Sequence, residues 1–267
     1  LRSGRHEKNA RRTMPVNVIK VGGAVVEDPQ LRRGFLKAFA SMPGGNVLVH
    51  GGGRTATGIA ARLGIETRMA EGRRITDASM LEVVTMVYGG LVNKSIVADL
   101  QSLGVNAVGI TGADFACIKA HKRPAGTIDY GYVGDIDEVN ADVFSRLVRD
   151  GVTPVVAPLS LSPSCGLLNT NADTIATSVA AALASREETV LTFCFEKKGV
   201  LSDPEDEDSV IPEITQESYN LLKYNGVISG GMIPKLDNAF SAIRSGVSKV
   251  VITDAASLGT PSGTIIK

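Results

Sequence analysis

The sequence predicts an α/β protein built on a largely parallel sheet, and three observations carry that prediction. Short Val- and Ile-rich runs alternate with longer segments of helical period. The chain has 267 residues, 43% of them hydrophobic, enough for a sizeable core. Two of the apolar runs end directly in glycine clusters. Such alternation gives right-handed βαβ units and a sheet covered on both faces. Ligands in these sheets lie beyond the carboxyl ends of the strands.

In chain order, strands are expected over 16–21, 46–49, 107–110, 153–156, 189–195 and 249–253. Helices are expected between them, over 31–42, 55–63, 77–103, 141–150, 173–185 and 235–245. Gly89 and Gly90 interrupt the long pattern 77–103, where a bend or a close helix–helix contact is expected. Residues 118–140 alternate and carry the turn residues Pro124, Gly126, Gly131 and Gly134, so this stretch reads as antiparallel hairpin material attached to the sheet. Residues 202–210 read as an acidic surface loop. No repeat or low-complexity linker divides the chain.

Residues 1–15 are basic and lack apolar periodicity. They read as a flexible extension or a vector remnant before Met14, with no apolar core for a secretory signal and no role for His6. Lys+Arg and Asp+Glu both number 28, so no net field points to nucleic acid or membrane. No apolar run approaches the ~20 residues of a membrane helix. Cys117, Cys165 and Cys194 are scattered and odd in number, giving neither a metal spacing nor a disulfide framework. A cytoplasmic location is expected.

The first strand carries Lys20 and stops at Gly22-Gly23; the second ends in Gly51-Gly52-Gly53 and runs into a helix. Glycine lets backbone approach a ligand, and a helix start offers free N–H groups and a positive dipole end. The pair suits phosphate or carboxylate, although either turn alone could be a plain βα connection. Neither is a P-loop, because Lys20 precedes its glycines. His50 reads as an orienting or core histidine. Asn169, Asn171 and Asp173 precede an alanine-rich helix. Capping explains Asn171 and Asp173 but leaves Asn169 with a free amide, so two amides and a carboxylate facing one site is the alternative. Gly230-Gly231 opens the last long helix, with Pro234 near its first turn and Lys235 next. A lysine there opposes the dipole unless an anion is present. No Ser–His–Asp set and no cysteine with a base stands out. Two lysines, backbone donors and an orienting acid suit phosphoryl transfer, which needs positioning and positive charge.

The order KVGG, HGGG, EGRRIT, NTNAD, SGGMIPK and a closing GT resembles the amino acid kinase family, and within it the members that phosphorylate N-acetylglutamate. The resemblance runs from about Val16 to Lys267. It implies an αβα sandwich around a mainly parallel sheet of about eight strands. It also implies an N-terminal lobe over 16–184 for the acylated amino acid and a C-terminal lobe over 185–267 for ATP. The implied reaction is ATP-dependent phosphorylation of the side-chain carboxylate of N-acetyl-L-glutamate, in arginine biosynthesis. N-succinyl-L-glutamate, another reaction of the family, or a non-catalytic sensor are the alternatives.

By that resemblance Lys20 and Lys235 stabilise the moving phosphoryl group and Asp173 orients both. Gly22, Gly23 and Gly231 contact phosphate, while Gly52 and Gly53 donate backbone N–H groups beside the attacking carboxylate. Arg74 grips the substrate α-carboxylate and Asn169 binds nearby; taken alone, Arg73 and Arg74 could be a solvated pair. ATP brings Mg2+, held mainly by its phosphates, and no protein metal site is implied. The family usually has a Thr/Ser-Asp pair after the C-lobe strand, where this chain has Phe195-Glu196, so nucleotide contacts there are left unassigned. A succinyl tail would need an extra cation, which the sequence does not place. The partners expected are small molecules and a second copy of the chain. The N-terminal stretch has no apolar stripe for a hexamer-forming helix, so a homodimer insensitive to arginine is expected.

Overall fold

A computed structural model describes residues 14–267. The expected extension and the expected lack of a hexamer-forming helix fall almost wholly on residues 1–13, outside the described residues.

Among the described residues the strands are β1 (Val16–Val21), β2 (Gly45–His50), β3 (Met69–Ala70), β4 (Arg73–Arg74), β5 (Ala107–Ile110), β6 (Ile118–Lys122), β7 (Gly134–Val139), β8 (Thr153–Val156), β9 (Leu159–Ser162), β10 (Gly166–Asn169), β11 (Thr189–Phe195), β12 (Glu213–Ile214), β13 (Lys249–Asp254) and β14 (Thr264–Ile266). The helices are α1 (Gly23–Glu27), α2 (Pro29–Ala40), α3 (Gly53–Arg62), α4 (Ala78–Val84), α5 (Asn93–Ser102), α6 (Ala141–Arg149), α7 (Ala172–Ala184), α8 (Gln216–Tyr224) and α9 (Met232–Arg244). A π-helical segment, Thr85–Val92, joins α4 to α5.

Eight strands form the central sheet in the order β12-β14-β13-β11-β1-β2-β8-β5. Every pairing is parallel except β13 with β14, which is antiparallel. Helices cover both faces, giving the αβα sandwich. Strand alternation assigns the two cores. Val16 and Val18 pack with Phe144, Ile175 and Leu236 from α6, α7 and α9. Ile19 and Val21 pack with Phe35, Ala56, Met80 and Leu100 from α2, α3, α4 and α5. Lys20 continues the row of Val16 and Val18, which places it on the side of α7 and α9.

The 118–140 hairpin forms as expected, β6 pairing antiparallel with β7. It is not attached to the central sheet as expected: it pairs instead with β9 and β10, two strands the sequence reading did not anticipate, in a separate sheet of order β10-β9-β6-β7. The long helical pattern does not break at Gly89-Gly90. The backbone instead widens into the π segment there, and a Cβ on Gly89 would meet Leu159 and Thr111 at 3.6 Å. These neighbours lie in β9 and just past the end of β5, so the contact at Gly89 is not the helix–helix contact expected. By length and composition Ala78–Ser102 could cross a membrane, contrary to the sequence reading. Here Met80, Val83, Val84, Val87, Ile96 and Leu100 bury one face of it in the core. The 202–210 loop is largely exposed, closed by a Leu201–Val210 bridge and pinned by a Lys198–Asp208 ion pair at 2.8 Å.

Candidate active site

The two glycine turns lie side by side because β1 and β2 are parallel neighbours in register, Val21 opposite His50. The Gly51 N–H donates to the Val21 carbonyl at 3.2 Å, and the Gly22 N–H to the Cys194 carbonyl at 3.0 Å. A Cβ on Gly51 would come within 3.1 Å of the Gly23 nitrogen, and one on Gly52 within 3.1 Å of the Tyr88 ring. Glycine thus lets the two turns pack closely, since a side chain at either position would push its neighbour away by a few tenths of an ångström. Glu27 closes the adjoining start of α3, accepting from the Thr55 N–H at 2.8 Å and its hydroxyl at 3.1 Å.

Behind the second turn, His50 is fully buried. Burial holds its imidazole at a pKa of about 4, so it is neutral. Its Nδ1 donates to the Gly51 carbonyl at 2.7 Å and its Nε2 accepts from Asn93 Nδ2 at 3.1 Å. This is an orienting histidine that fixes the turn.

Two cavities meet over this ridge. The first, about 430 Å³, is lined by Gly51–Gly53, Tyr88, Arg73, Arg74, Arg123, Asp135, Asn169 and Asn171. The second, about 420 Å³, is lined by Gly22, Gly23, the same three glycines, Arg54, Phe195, Glu196 and Lys235.

Arg74 is held inward by a tight hairpin. Glu71 and Gly72, with φ of 49° and 73°, form the two-residue turn between β3 and β4. Alternation then exposes Arg73 and leaves Arg74 only 9% exposed. Its Nη2 donates to the Gly53 carbonyl at 2.8 Å and to Thr57 Oγ1 at 2.9 Å; its Nη1 reaches Thr67 Oγ1 at 3.3 Å. Arg74 forms no ion pair among the described residues. Its charge opposes the burial that raises the Tyr88 phenol's pKa.

Asn169 ends β10 and donates to Thr76 Oγ1 at 2.9 Å. Asn171 caps α7, accepting from the Asp173 and Thr174 N–H groups at 2.8 and 3.1 Å, and still lines the first cavity. The capping reading holds, and the two amides line the first cavity, but Asp173 is not among the residues lining it. Asp173, in the first turn of α7, places Oδ1 2.8 Å from Lys20 Nζ. The approach is an ion pair outside hydrogen-bond geometry, leaving that oxygen buried without an aligned donor.

Gly231 caps α9, which begins at Met232, three residues before the expected start. Lys235 in its first turns projects into the second cavity, and burial lowers its pKa. Its Nζ lies 3.7 Å from the centre of the Phe195 ring; that of Lys20 lies 4.9 Å from the same centre. The two lysines, 215 positions apart in sequence, thus share one neighbourhood.

The sequence reading singled out neither Tyr88, Glu27, Arg123 nor Asp135, and left Phe195 and Glu196 unassigned. Arg123 Nε donates to both Asp135 oxygens at 3.1 Å. This pairing holds the Asp135 carboxyl below the usual carboxylate range. Residues 118–140 read correctly as a hairpin, but only the register, Lys122 opposite Gly134, shows that Arg123 and Asp135 meet. No group of three His, Cys, Asp or Glu able to hold a metal occurs among the described residues.

The profile of the amino acid kinase family matches residues 15–254. The chain is 56% identical over 252 residues to the acetylglutamate kinase of Phocaeicola vulgatus, covering 94% of this chain and 98% of that one. It is 53% identical to the acetylglutamate kinase of Cytophaga hutchinsonii, covering 90% and 92%. Among solved structures, smu.665 from Streptococcus mutans is 28% identical with a TM-score of 0.78, covering 94% of this chain and 98% of that one. Carbamate kinase from Giardia lamblia shares the fold at a TM-score of 0.68 and 15% identity, covering 94% and 98%. Fold, ridge of glycines and similarity along nearly its whole length agree: the chain belongs to the amino acid kinase family.

Proposed function

We propose that the chain transfers the γ-phosphoryl group of ATP to the side-chain carboxylate of N-acetyl-L-glutamate, in arginine biosynthesis. The observation that carries this reading is the meeting of Lys20, Lys235 and Asp173 beside a glycine ridge with a cavity on either side. The relatives at 53 and 56% identity named acetylglutamate kinase support it.

In this mechanism Arg74, already inward and without a carboxylate partner, takes the substrate α-carboxylate as a fork. Asn169 binds beside it. The side-chain carboxylate is delivered over Gly52 and Gly53, whose N–H groups face it, and the nucleotide phosphates lie against Gly22, Gly23 and Gly231. A carboxylate oxygen attacks the γ-phosphorus, the bond to the β–γ bridging oxygen breaks, and ADP leaves. Lys20 and Lys235 stabilise the charge on the moving group, and Asp173 orients both. The close-packed backbone of the ridge fits such an anion, and because Asp173 is engaged by Lys20, Mg2+ arriving with ATP would be held mainly by its phosphates, supplying positive charge to the transfer. The C-terminal residues 185–267 contribute the nucleotide side and residues 16–184 the acyl side.

A second reading has a specific observation behind it. The first cavity is lined by Arg73, Arg74 and Arg123 against Asp135 alone. With Arg74 given to the α-carboxylate and Asp135 matched to Arg123, one positive charge is in excess. Arg123 Nη1 is moreover buried without a partner. An acyl tail ending in a second carboxylate, as in N-succinyl-L-glutamate, would use both.

An ADP-release assay with N-acetylglutamate, N-succinylglutamate, aspartate and UMP tests the proposal. Turnover with the first supports it, and a higher kcat/KM with the second selects the succinyl reading. No turnover with any of them leaves the non-catalytic sensor. The exposed Met86 and Leu91 on the outer face of the long helix suit a homodimer in the cytoplasm, and light scattering should give two subunits. Six subunits, or inhibition by arginine, overturns the expected assembly and regulation.

A further inference from the structure

The charged form of Lys235 is opposed from several sides. It lies in the first turns of α9, where the helix dipole disfavours a cation. Lys20 is a like charge nearby, and Lys235 is itself partly desolvated. The groups facing it are Asp173 from α7, Lys20 from β1 and Glu196 just after β11, and Glu196 is itself engaged by Arg54 at 3.2 Å. Both of these carboxylates are already engaged, Glu196 by Arg54 and Asp173 by Lys20 at 2.8 Å. What remains against the Lys235 ammonium is the ring of Phe195, 3.7 Å from Nζ to centroid.

An aromatic face attracts a cation through its quadrupole, more strongly where water is excluded. This ring is also fixed. Phe195 ends β11 in the interior of the sheet, paired with Asp254, and stacks on Phe193 at 5.9 Å with an interplanar angle of 4°. Phe193 is buried in the core. The fixed ring lies within cation–π range of Lys20 as well, at 4.9 Å.

We propose that Phe195 is a positioning residue for phosphoryl transfer: its ring face, anchored by Phe193, holds the ammonium groups of Lys235 and Lys20 charged and in place beside the glycine ridge. Asp173 supplies one anion for two cations, and the ring supplies the second partner. A polar side chain at this position would answer to the nucleotide. Here the aromatic ring answers to the lysines. The inference rests on the kinase reading for its kinetic consequence but not for its electrostatic one.

The test replaces Phe195 with phenylalanines carrying one, two and three ring fluorines, which drain the quadrupole while keeping shape and packing. Two readouts are taken. In the free protein, 13C-dimethylated lysines are titrated by NMR, with the Lys235 signal assigned from Lys235→Arg. Its pKa should fall stepwise with each fluorine. In the kinase assay, kcat should fall stepwise, roughly three- to thirtyfold across the series, with KM for the acyl substrate unchanged. The high-pH limb of kcat should move to lower pH, because the charged lysine is lost sooner. Phe195→Leu should resemble the trifluoro protein, and Phe195→Tyr should restore both readouts. A Lys235 pKa and a kcat that ignore ring fluorination would overturn the proposal. A wild-type protein inert in the kinase assay, yet showing the stepwise pKa, would remove the kinase reading and leave the ring's role standing.

Discussion

At the scale of single residues, His50 makes the sharpest prediction. Its folded-state pKa of about 4 lies below the ordinary 6.5, because burial penalises the charged ring. Protons therefore bind the unfolded chain in preference. The stability this group contributes is full above pH 6.5 and is lost as pH falls toward 4. The loss between pH 7 and pH 5 should be about 2 kcal/mol in urea unfolding, and His50→Gln should lack that part of the slope. The two lysines should behave as preorganised charge donors. Lys20→Ala and Lys235→Ala should each lower kcat at least ~100-fold. Near-normal turnover in either would remove that lysine from the mechanism. Arg74→Lys should chiefly raise KM, since one ammonium cannot hold Gly53, Thr57 and a carboxylate as the guanidinium fork does. An unchanged KM would move the α-carboxylate contact elsewhere. The sequence separated Arg74 from Arg73 only through the family resemblance; in the fold, the positive-φ turn at Glu71-Gly72 and strand alternation do it physically. Phe195 was legible as an anomaly beside the expected polar pair. Its partnership with Lys235 was not, because it depends on where the start of α9 lies relative to the end of β11.

At the scale of elements, the strands of the central sheet were legible because a parallel sheet buried on both faces writes continuous Val/Ile runs. β2 and β13 extend the expected 46–49 and 249–253 by only a residue or two. What escaped was short or peripheral. β12 has two residues and β14 three, and β9 and β10 lie in a small sheet whose alternation is blurred by Ser160, Ser162 and Gly166. α1 is five residues long, and α8 is announced by a Thr215–Ser218 capping box instead of a strong apolar stripe. The β2–α3 connection shows how one residue type serves two ends. A methyl on Gly51 would meet the Gly23 nitrogen at 3.1 Å, so Gly51→Ala must push two turns apart by a few tenths of an ångström. A roughly tenfold loss of kcat is expected from that misplacement. Gly58, inside α3, faces open space, with nothing within 4 Å of where a methyl would sit. Gly58→Ala should raise stability by about 0.5–1 kcal/mol through helix propensity alone, with kcat unchanged. Thermal unfolding and kinetics on the two variants distinguish the roles, and equal behaviour would show that the ridge tolerates a side chain.

At the scale of the whole molecule, the ranges 16–184 and 185–267, proposed for the acyl substrate and the nucleotide, share one sheet. β11, from the range 185–267, lies between β1 and β13 and pairs with β1 over six consecutive residues. One core joins Val16, Val18, Ile175 and Val179 to Leu191, Phe193, Leu236 and Ile252. Separating the ranges after residue 184 would expose these side chains at about 1.5–3 kcal/mol each. A few of them exceed the whole margin of about 5–15 kcal/mol that holds a domain folded. The ranges should therefore unfold together, although different substrates are proposed for them. Two of the chain's own thiols can report this. Cys117 lies in the N-terminal range and Cys194 on β11; burial shields both and pushes each thiol's pKa up to about 12. Pulsed alkylation across a urea series, read by peptide mass, should give one shared midpoint for the two. Distinct midpoints would show that the β1–β11 seam opens before the rest, and that the site, whose Lys20 and Lys235 come from opposite sides of it, can be dismantled without unfolding either half.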